Sequence, residues 1–179
     1  DFVPTPDGRL FVTPGQARTG LDFYDAGAVL EAVARDEGAR VRPVFTDERM
    51  RDQYPSAGIL RSDASGGVVT YRVLTSWFDA VVLRDYEVHY DGAGRPTVRP
   101  LGEPVPACRQ RGVSLPIMTP DGLELAGRDE GTGTTKLFGL GTGGRRCEEV
   151  LDLGVPTTKV AFDPDGTRLA FAVPPTALR

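Results

Sequence analysis

The chain has 179 residues, of which 40% are hydrophobic and 26% are charged, and its formal net charge is −4. That length supports one substantial core but not several independent domains. The basic residues are scattered along the chain, and no apolar run approaches the roughly 20 residues of a membrane-spanning helix. The composition therefore argues against a nucleic-acid-binding surface and against a membrane span.

Glycine and proline are frequent, at 22 and 15 residues, which is typical of a β-protein with many tight turns. The first such turn lies in VPTPDGRLFVTP, residues 3–14. Pro6 fixes φ at about −65°, Asp7 can hydrogen-bond its neighbouring backbone, and Gly8 supplies the positive φ that closes the reversal. With β-favouring residues on both sides, this stretch predicts a β-hairpin.

A helical pattern follows in AVLEAVARDEG. Apolar residues such as Val29 and Val33 are at helical spacing, Asp25 is a candidate N-cap, and Gly38 is a candidate stop. We expect a short helix near residues 26–37, inserted into the first unit, with an irregular strand as the alternative.

A second unit begins with GILRSDASGGVVTYRVL, residues 58–74, in which Ser-Asp-Ala-Ser-Gly-Gly takes the place of Pro-Asp-Gly. We interpret this stretch as a degenerate copy of the first hairpin. The run FDAVVLRDYEVHYDGAG then predicts a long strand. The next segment suits an outer edge strand, where a missing N–H costs no ladder hydrogen bond, because it carries prolines 96, 100, 104 and 106.

The turn chemistry returns twice more, in IMTPDGLELAGR and in VAFDPDGTRLAFAV. Their turn residues are Asp121 with Gly122, and Asp165 with Gly166. The two aspartates are 44 positions apart, a suitable length for one four-stranded sheet with its turns. A repeat of this period is typical of β-propeller blades.

We therefore predict an all-β chain that forms a single β-propeller segment over residues 1–179, an arc of about four blades. The expected blades are approximately 1–45, 57–108, 112–153 and 155–179, the last one incomplete. Propellers usually have roughly four to eight blades. We expect the missing blades to come from a further stretch of the same polypeptide or from a partner chain.

TPDGLELAG and FDPDGTRLAFAV resemble the TolB-like (WD-like) β-propeller repeat, in which the Pro-Asp-Gly turn joins the first and second strands of a blade. The resemblance is clearest over residues 112–173, and the second unit departs from it by lacking Pro-Asp-Gly. It implies a non-enzymatic protein-interaction scaffold of the bacterial cell envelope, periplasmic or extracellular. Such a scaffold binds protein or cell-wall-associated partners through rim loops and a central funnel, without a cofactor. The alternative is the propeller portion of a prolyl-oligopeptidase-like hydrolase whose catalytic domain lies outside this chain.

Catalytic signals are weak. Ser/His/Asp catalysis needs a histidine beside a nucleophile, and the only histidine, His89, lies near a strand end as a surface or rim residue would. No G-x-S-x-G elbow is present, and FDPDG lacks the alternating ligands of a calcium loop. We therefore assign no catalytic residue, no metal site and no cofactor.

Aromatic residues concentrate between positions 71 and 90. Most of them should be sheet core, but Trp77 in LTSWFDA is a candidate exposed anchor, because Trp is enriched at interface hot spots. We take Trp77, Phe78 and Tyr90 as candidate partner-binding residues.

The two cysteines, Cys108 and Cys147, are far apart in sequence and have no metal-ligand spacing. The sequence is compatible with two buried free thiols and equally with a single disulfide. A disulfide would agree with an oxidising compartment.

Overall fold

The computed structural model describes residues 2–15, 20–35, 41–50, 53–77, 80–108, 113–140 and 147–174. Within these ranges the chain is almost entirely β, with four antiparallel sheets and one short helix. Each sheet is built from strands that are consecutive in sequence, and no sheet contains a crossover. The predicted fold class, an all-β partial propeller, is confirmed.

The strands are numbered in chain order. Sheet 1 contains β1 to β4: Val3–Pro4, Leu10–Pro14, Leu21–Asp25 and Phe45–Asp47. Sheet 2 contains β5 to β8: Gln53–Ser62, Val68–Trp77, Ala80–Tyr90 and Pro96–Ala107. Sheet 3 contains β9 to β12: Val113–Met118, Glu124–Asp129, Thr135–Gly139 and Glu148–Asp152. Sheet 4 contains β13 and β14: Lys159–Phe162 and Leu169–Ala172.

The first and second strands of every sheet are joined by the same kind of tight turn. In each turn a glycine N–H donates to the carbonyl three residues earlier, over 2.8 to 3.0 Å. All four glycines have positive φ, between 67° and 74°, which a residue without Cβ adopts at little cost. They are Gly8, Gly66, Gly122 and Gly166. The second unit therefore forms the same turn without the Pro-Asp-Gly sequence.

A threonine and an aspartate brace the turn in two of the four copies. In the first, the Thr5 hydroxyl donates to Asp7 Oδ1 over 2.7 Å and accepts from the N–H of Leu10 over 3.1 Å. In the third, Thr119 and Asp121 repeat the first contact over 2.6 Å. These local bonds stabilise the two turns with side chains from within the same hairpin.

The inserted helix, α1, spans Ala26–Ala34. Its N-cap is Asp25, whose carboxylate accepts the N–H of Ala28 over 2.8 Å, as a capping residue should. The predicted stop, Gly38, lies outside the described residues. The apolar stripe of α1 is not packed, since Leu30 and Val33 are exposed.

Two apolar cores lie between neighbouring sheets. Sheets 1 and 2 enclose the first, in which Leu10 and Phe23 pack against Tyr71 and Tyr86. Sheets 2 and 3 enclose the second, which includes Leu74, Leu125 and Phe138. Side chains alternate along each strand, so sheet 2 sends one set to sheet 1 and the other set to sheet 3.

The proline-rich strand β8 is the outermost strand of sheet 2. It pairs only with β7 among the described strands. This is the position in which missing N–H groups are tolerated and in which they also discourage pairing with a foreign strand.

Candidate functional site

The first strands of all four sheets converge on one open cleft of about 360 Å³, which we call the axial cleft. Each sheet contributes its first strand and, in three of the four sheets, the turn that follows. The side chains around the opening are apolar or small in most positions. The lining includes Val3, Pro4, Pro6, Ala57, Ile117, Met118, Pro120, Phe162 and Pro164.

Polar groups at the cleft are already engaged within the protein. The Ser56 hydroxyl accepts the N–H of Met118 over 3.0 Å, which joins the first strands of sheets 2 and 3. The Asp163 carboxylate accepts the N–H of Arg168 over 2.9 Å inside its own turn. The cleft is therefore suited to apolar contact more than to polar chemistry.

Backbone contact between sheets 2 and 3 gives the cleft a rigid wall. The N–H of Ile59 donates to the carbonyl of Pro120 over 2.6 Å. Gly58 allows this approach, because a Cβ at that position would lie 2.5 Å from the Cα of Gly122.

The turn of sheet 1 is tied to sheet 2 by a partly buried polar network. The Tyr71 hydroxyl donates to Asp7 Oδ2 over 2.5 Å and lies 2.9 Å from the Tyr90 hydroxyl. The Arg9 guanidinium covers the Tyr90 ring at 3.2 Å from its centroid and donates to the carbonyl of Gly66 over 2.5 Å. Burial, followed by the Asp7 hydrogen bond, raises the pKa of Tyr71 above its ordinary range, so this phenol stays a neutral donor.

Tyr90, a predicted partner-binding residue, lies in this network. Burial raises its pKa to about 12. Of the other two, Trp77 ends strand β6 and pairs with Ala80 through the backbone, while Phe78 lies outside the described residues. The described residues therefore do not test whether the three form one site, and the roles proposed for them stay predictions.

Sequence reasoning missed two buried arginines that lock neighbouring sheets together. Arg84 of sheet 2 donates to Asp47 of sheet 1 over 2.6 Å, and both side chains are at most 6% exposed. Tyr86 donates to the same carboxylate over 2.7 Å. Arg72 binds Asp85 of its own sheet through two nitrogens, over 2.8 and 3.1 Å, and donates to the carbonyl of Gly122 in sheet 3 over 3.3 Å.

A signal for these ion pairs is present in the sequence. TYRVL and VLRDY each place a charge in an otherwise apolar run, and a buried charge needs a partner. The partner Asp47 belongs to another sheet, so sequence alone could not identify it. Because removing one member of such a pair leaves an uncompensated buried charge, these contacts hold the sheets in one arrangement.

His89 is 55% exposed and lies 2.9 Å from Glu87. Hydrogen bonds from His89 and then Arg99 lower the pKa of Glu87 below its usual value. The described contacts of His89 are those of a surface histidine at a strand end.

Cys108 and Cys147 form a disulfide. Cys108 follows the outer strand of sheet 2 and Cys147 precedes the outer strand of sheet 3, so the bond joins the outer parts of two sheets. Cys108 belongs to the buried core between these sheets, and half-buried Cys147 packs against it.

Within the described residues, no cluster of three or more His, Cys, Asp or Glu side chains has the arrangement of a metal site. No helix in that part of the chain has the length and apolar character to cross a membrane.

Comparison with known proteins gives only distant structural similarity. No family model matches the sequence, and no curated protein matches it. Among solved structures, the chain is similar to the periplasmic gluconolactonase PpgL of Pseudomonas aeruginosa, with 18% identity, a TM-score of 0.45, and coverage of 96% of this chain and 46% of that one. It is also similar to hydrazine synthase of Kuenenia stuttgartiensis, with 12% identity, a TM-score of 0.39, and coverage of 97% and 58%.

A third similar structure is Hsv2 of Kluyveromyces lactis, with 10% identity, a TM-score of 0.34, and coverage of 92% and 56%. The chain spans about half the length of each of these three proteins.

Proposed function

We propose that the chain is part of a non-enzymatic protein-interaction scaffold, a TolB-like β-propeller of the bacterial cell envelope. In this role it binds protein or cell-wall-associated partners through its axial cleft and rim loops. The axial cleft is the observation that carries the proposal, because four separate sheets bring apolar and proline side chains to one opening.

The occupant that fits this cleft is a protein segment with apolar side chains. A volume of about 360 Å³ lies within the roughly 300–1,000 Å³ of ordinary ligand sites. Half-buried Ile117 of sheet 3 and Phe162 of sheet 4 both offer apolar surface to the cleft. Such contacts bind by removing apolar area from water and need no charged partner.

The buried charges of the chain support a binding role over a catalytic one. Arg72 and Arg84 are committed to ion pairs between strands or sheets, as described above. Lys136 is likewise held by three carboxylates. In these contacts the charges stabilise the frame, because a buried charge needs a partner.

A cell-envelope location is supported by the Cys108–Cys147 disulfide. Disulfides form and persist in oxidising compartments such as the bacterial periplasm and are rare in the cytosol.

The cleft can be tested with a displayed library of linear peptides as the probe. Peptides selected on the wild-type chain are measured by calorimetry against Phe162→Ala and Ile117→Ala. Each variant should weaken binding about tenfold, because each removes apolar contact worth roughly 1–2 kcal/mol.

Leu30→Ala on helix α1 is the matched control, because it removes an exposed apolar side chain outside the cleft. The affinity of the Leu30→Ala variant for the selected peptides should equal that of the wild type. Equal affinity of all three variants, or failure to select any peptide, would remove the support for the axial cleft as the binding site. Trp77→Ala, measured with the same peptides, tests the separate prediction that this residue is an anchor.

A further inference from the structure

Three sheets place a large cross-strand pair on the same face, the face directed toward the preceding sheet. The pair always joins the second and third strands of its sheet. The pairs are Phe11 with Tyr24, Tyr71 with Tyr86, and Leu125 with Phe138.

In sheets 2 and 3 the pair is completely buried. The preceding sheet covers it with side chains from its opposite face. Over Tyr71 and Tyr86 these are Leu10, Val12 and the residues beside them on β3. The interface is therefore repeated, with an aliphatic strip from one sheet meeting a large pair from the next.

In sheet 1 the equivalent pair has no such cover among the described residues. Phe11 and Tyr24 are half-buried, and Phe2 completes an aromatic cluster with them while remaining 55% exposed. The ring centroids of Phe2 lie 5.7 Å from Phe11 and 5.6 Å from Tyr24, both in edge contacts. We call this surface the open face of sheet 1.

We infer that the open face of sheet 1 is a docking surface for a further antiparallel sheet of the same repeat, distinct from residues 1–179. Continuity with the two described interfaces identifies the occupant. It covers the open face with buried apolar side chains of its second and third strands, as Leu10 and Phe23 of sheet 1 and Leu74 and Val81 of sheet 2 do.

A second copy of this chain is a poorer occupant. Its free end is sheet 4, whose second strand has Arg168, Ala170 and Ala172 at two, four and six positions after Gly166. The two alanines are smaller than Leu10 and Leu74, the leucines that help to cover the large pairs of sheets 2 and 3.

The first test supplies the missing sheet covalently, by adding a copy of residues 1–52 ahead of the full chain. The added copy carries Tyr24→Leu on its own outward face, so that its peptides differ in mass from those of the original sheet. Nitration of the original Tyr24 by tetranitromethane should slow at least fivefold relative to the unextended chain. Leu10→Asp and Val12→Asp in the added copy should restore the original rate, and an unchanged rate would overturn the inference.

The second test does not depend on folding of an added sheet. Phe11 and Leu125 are equivalent, each three positions after its turn glycine, but only Leu125 is covered. Leu125→Ser should lower the melting temperature by about 10 °C or more, and Phe11→Ser by less than about 3 °C. An equal loss would show that Phe11 already belongs to a complete core, which would overturn the inference.

Sedimentation velocity of the unextended chain tests the alternative occupant. A monomer agrees with the inference. A dimer that Phe11→Ser dissociates would assign the open face to a second copy and overturn it. None of these results depends on the axial cleft, so this inference and the proposed function can fail independently.

Discussion

Gly58 lies where strand β5 of sheet 2 meets the turn of sheet 3. A Cβ at this position would clash with the backbone nitrogen of Gly122 and lie 2.7 Å from the carbonyl oxygen of Thr119. Both obstacles are backbone atoms in a hydrogen-bonded turn, so neither can move aside without disturbing the contact between Ile59 and Pro120.

Gly58→Ala should therefore destabilise the chain by about 3 kcal/mol, the upper part of the usual range for overpacking. Gly92→Ala is the control, because nothing lies within 4 Å of its Cβ position. Urea denaturation followed by circular dichroism measures both. A Gly58→Ala variant as stable as Gly92→Ala would show that the two backbones are not in close contact.

At the scale of the single residue, the sequence predicts those contacts that involve residues close together in the chain. The tight turns follow from the conformational freedom of glycine and from the bonding of Asp7 and Thr5 within five residues. Gly58 gives no such signal, because the backbone it approaches is about 60 positions away in the chain. The Arg84–Asp47 pair was missed for the same reason.

At the scale of the element, a lysine ties together three strands of sheet 3. Lys136 on β11 is 8% exposed, and its ammonium lies 3.4 Å from Asp129 on β10 and 2.9 Å from Glu149 on β12. Burial of Asp129 opposes its ionisation, but N–H donors of Thr132 and Gly131 and the ammonium of Lys136 outweigh it. The net effect lowers the pKa of Asp129.

A carboxyl group whose pKa is lower in the folded state stabilises the fold while it is ionised. The contribution of Asp129 is therefore complete above its unfolded pKa of about 3.9 and is lost as the pH falls through its lower folded value. Asp129→Asn should lower the melting temperature at pH 7, and the difference from wild type should shrink below about pH 3. Glu130→Gln, at an exposed neighbouring position, should change the melting temperature neither at pH 7 nor below about pH 3. A difference independent of pH would contradict the electrostatic account.

A helix or strand could be predicted where its own residues carry a clear signal, such as a capping residue or a series of prolines. Helix α1 begins after a good capping residue, Asp25. The prolines of β8 place it at an edge. The burial of α1 was not predictable, because apolar spacing cannot show whether a partner exists, and Leu30 is 60% exposed.

At the scale of the whole molecule, the repeat predicted the succession of sheets but not how they are held together. Each interface combines an apolar strip, which alternation along a strand can predict, with a polar contact that joins distant parts of the chain. Arg84 with Asp47 joins sheets 1 and 2 in this way, and Ser56 with Met118 joins sheets 2 and 3. The axial cleft follows from the same arrangement, since it exists only when four first strands come together.

The disulfide is the covalent contact between sheets 2 and 3, and it closes a loop with a sequence separation of 39. Because a cross-link reduces the conformational entropy of the unfolded chain, a loop of this length is expected to stabilise the fold by about 4 kcal/mol. The double variant Cys108→Ala/Cys147→Ala should lose most of this stabilisation. The reduced wild-type chain should unfold in urea as the double variant does. If the oxidised protein and the double variant unfolded at the same urea concentration, the bond would not contribute to joining the two sheets. The hydrogen bonds and the apolar core between sheets 2 and 3 would then account for the association of these sheets.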